Sequence, residues 1–363
     1  MEFINQMEPW FDNKEQEALN KYMGQGGWVT EFKKTFEFQD LIKKFTGAKY
    51  CFVVNNGTIS LSLMAMASGI KAGDEVLVPN YTMVATPNSL KMFGAEPKFI
   101  DVNPKTLCIS VDEIKKNVSA KTKAVFLMNA NGRYPSDIEE ILDFCKQNNL
   151  IILEDSAQAL GSFYPDGIHQ GRKGIAGSFS FSAPKIISTG QGGAIITDDD
   201  KVAHNVSRLK DFGRSGGGND IHEMIGFNFK FTDIQAVIGI VQMGKLEWRM
   251  NRMKEIYRRY KNNLLNLIEV NFFDQDLKNT TPWFIDVKVD NRDGLMSYLK
   301  QNKIGSRIMY PPINKQEAYN VDGNHVISNE IGVKGLWLPS SSKLTNDQID
   351  YVCEKIKLFY LKQ

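Results

Sequence analysis

The segment Leu150-Ile151-Ile152-Leu153-Glu154-Asp155-Ser156-Ala157-Gln158-Ala159 opens as an apolar run and closes on two acids followed by small and polar residues. Such a run reads as a buried strand, which puts Asp155 at a strand end. Lys185 lies 30 residues further on, in Ser178-Phe179-Ser180-Phe181-Ser182-Ala183-Pro184-Lys185, with Gly190-Gln191-Gly192-Gly193 after it. A buried carboxylate at a strand end and a lysine on a small-residue loop are the groups that pyridoxal phosphate (PLP) needs. The lysine forms a Schiff base with the aldehyde, and the aspartate pairs with the pyridinium nitrogen.

Around this segment, short apolar strands alternate with amphipathic helices from about residue 50 to 200. Strands are expected at 50–54, 74–79, 98–102, 123–128, 150–154, 177–181 and 193–197, and helices at 58–68, 87–93 and 137–148. The alternation predicts an α/β fold whose central sheet is mostly parallel and covered on both faces. In such sheets ligands bind beyond the carboxyl ends of the strands, where Asp155 and the Gly57-Thr58 turn both fall. A long basic amphipathic helix is expected over 246–265, then a strand over 284–289 and a helix over 293–301. The expected division is a large cofactor-binding domain at 1–245, including an N-terminal arm, and a smaller α+β C-terminal domain at 246–363.

The chain has 363 residues, which suits one large and one smaller domain better than a single small core. Lys+Arg number 44 and Asp+Glu 42, a net charge of +2, so nothing marks a nucleic-acid or membrane-surface binder. Cys51, Cys108, Cys145 and Cys353 are scattered and read as reduced core thiols of a cytoplasmic protein. His169, His204, His222 and His325 make no ligand spacing with them, so no metal site is expected. The segment Met1 to Glu8 carries acids and no apolar stretch, so it does not read as a signal peptide. No apolar run approaches the ~18 residues that would span a bilayer.

Gly57-Thr58 opens a helix after a strand. The unpaired N–H groups and positive dipole end of that helix suit a phosphate dianion. Ser180 and Ser182, just before Lys185, carry hydroxyls that can donate to the same phosphate. Glu154 stands beside Asp155 as a rival partner for the ring nitrogen.

Together these stretches resemble the sugar-nucleotide aminotransferases, PLP enzymes with the aspartate-aminotransferase fold (fold type I). The resemblance runs from about Gly26 to about Pro339. It implies that Gly57, Thr58 and Ser180 hold the phosphate, that Asp155 rather than Glu154 meets the ring nitrogen, and that Gln158 lies against the ring. Asn228, in Gly226-Phe227-Asn228-Phe229-Lys230, resembles a family asparagine that reaches the phosphate from the neighbouring subunit, which implies a homodimer. The family usually has arginine where this chain has Lys230, which keeps the charge and loses the fork. The position that often stacks on the ring is Met83 here, with Tyr81 as the alternative. Arg307 and Tyr310 resemble a segment near the sugar-nucleotide site, and Trp28 a substrate-facing loop.

The reaction so implied is a ping-pong transfer from glutamate, through pyridoxamine phosphate, to the keto carbon of a nucleotide-linked 4-keto-6-deoxyhexose. The resemblance favours C4, with viosamine- or perosamine-type products, over C3. The sugar dehydratases of the same fold that this chain resembles most carry histidine in place of the lysine, and Lys185 argues against that class. A non-catalytic PLP-fold binding protein is a further alternative. It would be expected to lack the lysine, the acid or the phosphate turn, and all three are here.

Overall fold

The computed structural model describes residues 2–216 and 220–362. Met1 and Gln363, the outer ends of the two expected domains, lie outside the described residues. Helices α1 (Asn13–Gly24) and α2 (Lys33–Thr46) precede the first strand, β1 (Tyr50–Val54). The chain then runs through α3 (Gly57–Ala67), β2 (Glu75–Pro79), α4 (Ala85–Lys91), β3 (Glu96–Ile100), α5 (Val111–Asn117), β4 (Thr122–Met128) and α6 (Ile138–Gln147). Next come β5 (Ile151–Asp155), β6 (Ala176–Ser180), β7 (Gly193–Thr197), α7 (Asp200–Leu209), α8 (Asp233–Met243) and α9 (Leu246–Asn263). These strands form one sheet in the order β1-β7-β6-β5-β4-β2-β3. Strands β3, β2, β4, β5 and β6 run parallel, while β7 pairs antiparallel with both β6 and β1.

Side-chain alternation explains why both faces are covered. Leu77, Val125 and Leu127 face one core with Ile114 and Ile141 of α5 and α6. Val76, Val78, Phe126 and Leu153 face the other, with Leu63, Met64 and Val206 of α3 and α7. Phe38 and Ile42 of α2 cover the β1-β7-β6 end over Val53, Phe179 and Ile196.

A second sheet joins β8 (Val270–Phe272), β9 (Ile285–Val289), β10 (Arg307–Ile308) and β11 (Gly335–Leu338) in the order β10-β11-β9-β8, all antiparallel. Helices α10 (Arg292–Gln301), α11 (Val326–Lys334) and α12 (Asn346–Leu361) complete this region. Its core joins Ile256 and Tyr260 of α9 to Val287, Leu299 and Val352. The N-terminal arm, expected with the larger unit, touches both regions, with Trp10 O accepting from Gln242 of α8. Ile4 is buried and bridges Ile304, and Gln6 O accepts the Ser340 N–H, so the arm is anchored beside the second sheet. Among the described residues no helix is long and apolar enough to cross a membrane.

Three local differences from the sequence expectation have physical causes. Helices α1 and α2 lie where no element was anticipated. The first is started by a capping box in which Asp12 and Glu15 satisfy each other's backbone N–H groups. Helix α4 begins at Ala85 rather than Pro87, because a proline is tolerated in a first turn, where its missing N–H costs nothing. Strand β3 stops at Ile100. Asp101 leaves the ladder, and its carboxylate accepts the Ile327 and Ser328 N–H groups at the start of α11.

Candidate active site

Sheet register brings the site together. Ser180 and Val54 lie level with each other on either side of Gly193, so the end of β6 and the β1–α3 turn are adjacent. Gly193 permits that closeness: a Cβ there would stand 2.5 Å from Asn56 O and 2.9 Å from Gly57 N. A Cβ on Gly57 would in turn meet Ser180 Cβ at 2.9 Å. Asn56 caps α3 by accepting the Ile59 N–H at 2.9 Å. Among the described residues the Gly57 and Thr58 N–H groups find no intrachain acceptor. Two free donors, a helix N-terminus and the hydroxyls of Ser180 and Ser182, 3.3 Å apart, form an anion cradle of phosphate size.

Strand alternation sends the Glu154 and Asp155 carboxylates to opposite sides. Glu154 is fully buried, and its carboxylate is consumed by the Tyr164 hydroxyl (2.6 Å) and the N–H groups of Gly171 (2.7 Å), Lys173 (2.6 Å) and Gly174 (2.7 Å). Asp155 faces the opposite way and lines a cavity of about 640 Å³ together with Lys185, Gly57, Thr58 and Ser180. Its Oδ2 accepts the Thr86 hydroxyl at 2.6 Å and its Oδ1 the Ala157 N–H at 3.2 Å. Burial raises the Asp155 carboxyl above its ordinary range, while the Thr86 hydroxyl, the Ala157 N–H and the Lys185 charge pull it down. Burial also brings the Lys185 amine down to about 8, with the Asp155 carboxylate opposing.

The remaining walls come from far along the chain. Gln158 Oε1 accepts the Asn131 N–H at 2.7 Å, and its side chain lines the cavity beside Tyr310. Tyr310 packs edge-on to Trp337, 4.8 Å between centroids, and burial pushes its phenol up. Trp283 lines the cavity with its ring 4.1 Å from Lys185 Nζ. A carboxylate, an amine and an anion cradle around one cavity fit PLP: its ring nitrogen, its aldehyde and its phosphate each find a matching group.

Of the residues singled out from sequence, Gly57, Thr58, Met83, Asp155, Gln158, Ser180, Lys185, Arg307 and Tyr310 line this cavity. Met83 and Arg307 stand at its exposed rim. Tyr81 does not line it. Its side chain is 3% exposed and packs behind Tyr310, 5.8 Å between rings, so the chain's turn after β2 presents Met83 instead. Trp28 is 62% exposed, donates to Thr30 Oγ1 and lies outside the cavity. Asn228 is also exposed and outside it. Thr86, Asn131 and Trp283 escaped sequence reading. Their roles come from contacts across many residues, and no local pattern announces them.

The model of the DegT/DnrJ/EryC1/StrS aminotransferase family matches residues 9–357. The chain belongs to this family. It is 32% identical over 370 residues to the GDP-perosamine synthase of Escherichia coli O157:H7, with 99% of each chain covered. It is 30% identical over 362 residues to the GDP-perosamine synthase of Vibrio cholerae, covering 97% of this chain and 98% of that one. Among solved structures it resembles the aminotransferase TlmJ from Streptoalloteichus hindustanus, with a TM-score of 0.92, 26% identity and 99% of both chains covered. A family member from Brucella abortus superposes with a TM-score of 0.88 at 26% identity, over 96% of this chain and 95% of that one. The mostly parallel sheet with its second, smaller sheet is the PLP-dependent transferase fold of type I that the resemblance implied.

Proposed function

We propose that this protein is a PLP-dependent aminotransferase that moves the amino group of glutamate to C4 of a nucleotide-linked 4-keto-6-deoxyhexose, giving a perosamine-type product. The observation that carries the chemistry is the meeting of Lys185, Asp155 and the Gly57-Thr58-Ser180 cradle around one cavity. The similarity to two GDP-perosamine synthases along almost the whole chain supports the sugar, the carbon and a guanosine nucleotide.

When bound, PLP supplies an aldehyde that accepts the amino group and a ring that draws electrons from the substrate carbon. The protein's own groups do the rest. Lys185, with its amine near pH 8, is available as a neutral nitrogen to take the proton from the donor's α-carbon and to return it on the other side of the exchange. Asp155, buttressed by Thr86 and Ala157, holds negative charge where the ring nitrogen would sit. The cradle would hold the phosphate, and Gln158 and Tyr310 line the same cavity. Arg307, at the rim, presents a guanidinium suited to a carboxylate or a diphosphate. Asn228 and Trp28, exposed outside this cavity, serve a partner's cavity in a homodimer.

The test is an absorption spectrum of the full-length protein with PLP, before and after glutamate, beside Lys185→Ala. A visible band that glutamate bleaches and the variant never forms is expected. Incubation of the amino-loaded protein with a GDP-linked 4-keto-6-deoxyhexose is then expected to give a product heavier on the sugar by the exchange of keto oxygen for an amine. No band in the wild type would refute the cofactor reading, and a band indifferent to glutamate would refute the donor.

A further inference from the structure

Lys185 and Trp283 are distant in sequence and in contact in space. The lysine Nζ lies 4.1 Å from the indole centroid. Among the described residues no hydrogen bond or ion pair reaches that Nζ. The indole is fixed on several sides. Its Nε1–H donates to Pro184 O at 2.7 Å, the carbonyl immediately before the lysine. Its ring stacks on Phe284 with centroids 3.9 Å apart.

The backbone behind it is fixed too. The N–H groups of Trp283 and Phe284 both end on Asn131 Oδ1, each at 2.7 Å. Asn131 holds φ at 55°, in the left-handed region, and its Nδ2 donates to Phe284 O and to Asp286 Oδ1. Core packing alone needs an apolar volume at 283. It does not need an N–H aimed at the residue before Lys185, nor an asparagine in the left-handed region to hold the backbone that carries the ring.

A buried ammonium without a partner is costly, and an aromatic face offsets part of that cost. A carboxylate in direct contact would hold the proton far more tightly and leave little neutral amine. An indole face stabilises the cation modestly and competes for no lone pair, so the proton can leave.

We propose that Trp283 is a positioning residue for the amine exchange: its indole face receives the Lys185 ammonium whenever that nitrogen is not covalently engaged, and Asn131 holds the face in place. This rests on the reading of Lys185 as the lysine that captures the cofactor. Asp155 is the charged group acting on Lys185. Tyr310 and Arg307 line the same cavity, and Glu8 and Arg249 a neighbouring one that also touches Lys185.

The experiment is the rate at which the full-length protein captures PLP, followed by the visible band from about pH 6 to pH 10. In capture the neutral Lys185 nitrogen forms a C=N bond to the aldehyde carbon and water leaves. The wild-type rate is expected to rise with a midpoint near 8. Loss of a cation–π contact changes the ammonium-to-amine ratio about 3- to 30-fold, so Trp283→Leu is expected to move the midpoint ~0.5–1.5 units towards acid. Trp283→Phe, which keeps an aromatic face, is expected to move it by less than half as much. Asn131→Gly accepts the left-handed backbone and frees the strand, and is expected to shift the midpoint in the same direction.

A Trp283→Leu midpoint that stays or rises overturns the proposal. A purely structural role would lower the melting temperature and leave the midpoint in place. If Trp283→Leu does not fold, an unmoved midpoint in Asn131→Gly overturns it instead. A wild type that forms no band sinks this proposal together with the proposed function, whereas a band with unmoved midpoints sinks this one alone.

Discussion

Lowering the pH to 5 is expected to destabilise the protein, most strongly through His169. Its ring is buried among Phe45, Phe163 and Phe179. Nε2 accepts the Gly161 N–H at 3.1 Å, which requires the neutral ring with its proton on Nδ1, facing Gln170 O at 2.6 Å. Burial pushes the imidazole from its ordinary 6.5 to about 4, the Gln170 carbonyl opposing and the Arg172 charge assisting. The folded protein therefore binds fewer protons than the unfolded chain between those values. The stability this group contributes is fully present above pH 6.5 and is lost as the pH falls through 4. At pH 5 the loss is about 2 kcal/mol relative to pH 7.5, and below pH 4 it approaches ~3 kcal/mol. His169→Gln keeps an acceptor for Gly161 and a donor for Gln170 but does not titrate. Urea unfolding at pH 7.5 and 5.0 should show the wild type losing about 2 kcal/mol more than the variant. Because Gly161 lies in the turn that follows the one carrying Gln158, PLP affinity should weaken over the same interval. Equal losses in the two proteins would refute the reasoning.

Three other outcomes are expected. Glu154→Gln turns an amide NH₂ towards backbone N–H groups that now donate to a carboxylate. It should cost about 3 kcal/mol in urea unfolding, and a loss under ~0.5 kcal/mol would show that Glu154 does not organise the 171–174 loop. Gly193→Ala puts a methyl 2.5 Å from Asn56 O and must displace the phosphate turn. PLP affinity should fall at least ~10-fold, with a stability cost of about 1–3 kcal/mol, measurable by equilibrium titration and melting. Asp155→Asn removes the charge that holds the Lys185 amine up. Labelling of Lys185 by an amine-reactive reagent in the absence of PLP should then reach half-maximal rate at a lower pH than in the wild type, and a profile shifted to higher pH would contradict that electrostatics.

The central sheet was legible because each of its strands is a short apolar run with a turn at its end. Asp155 and Gly57-Thr58 were legible for a related reason, since each falls at or just after the end of such a run, and Lys185 was legible from the small-residue loop that carries it. Elsewhere the signal was present and overlooked. Asp12 and Glu15 are spaced as a capping box, and Phe38 and Ile42 repeat at helical distance. The choice between Tyr81 and Met83 had no such signal. Both follow the last strand residue, Pro79, where no periodicity assigns a face, and only packing against Tyr310 buries the tyrosine. Trp283 and Asn131 were illegible because what matters is their contact with each other and with Lys185, across the gap between the two sheets.

Arg133, just beyond β4, pairs through a fork with Asp286 on β9, and both side chains are about 2% exposed. Parting them would strand a charge away from water at a cost of about 3–5 kcal/mol. The pair acts as a weld between the two sheets. The free rim lies at Met83 and Arg307, which are exposed. A bulky substrate can thus come and go over that rim while Lys185 and Asp155, inside the cavity, keep their alignment. Release of product and upkeep of the reacting geometry become separable properties, open to tuning at different residues.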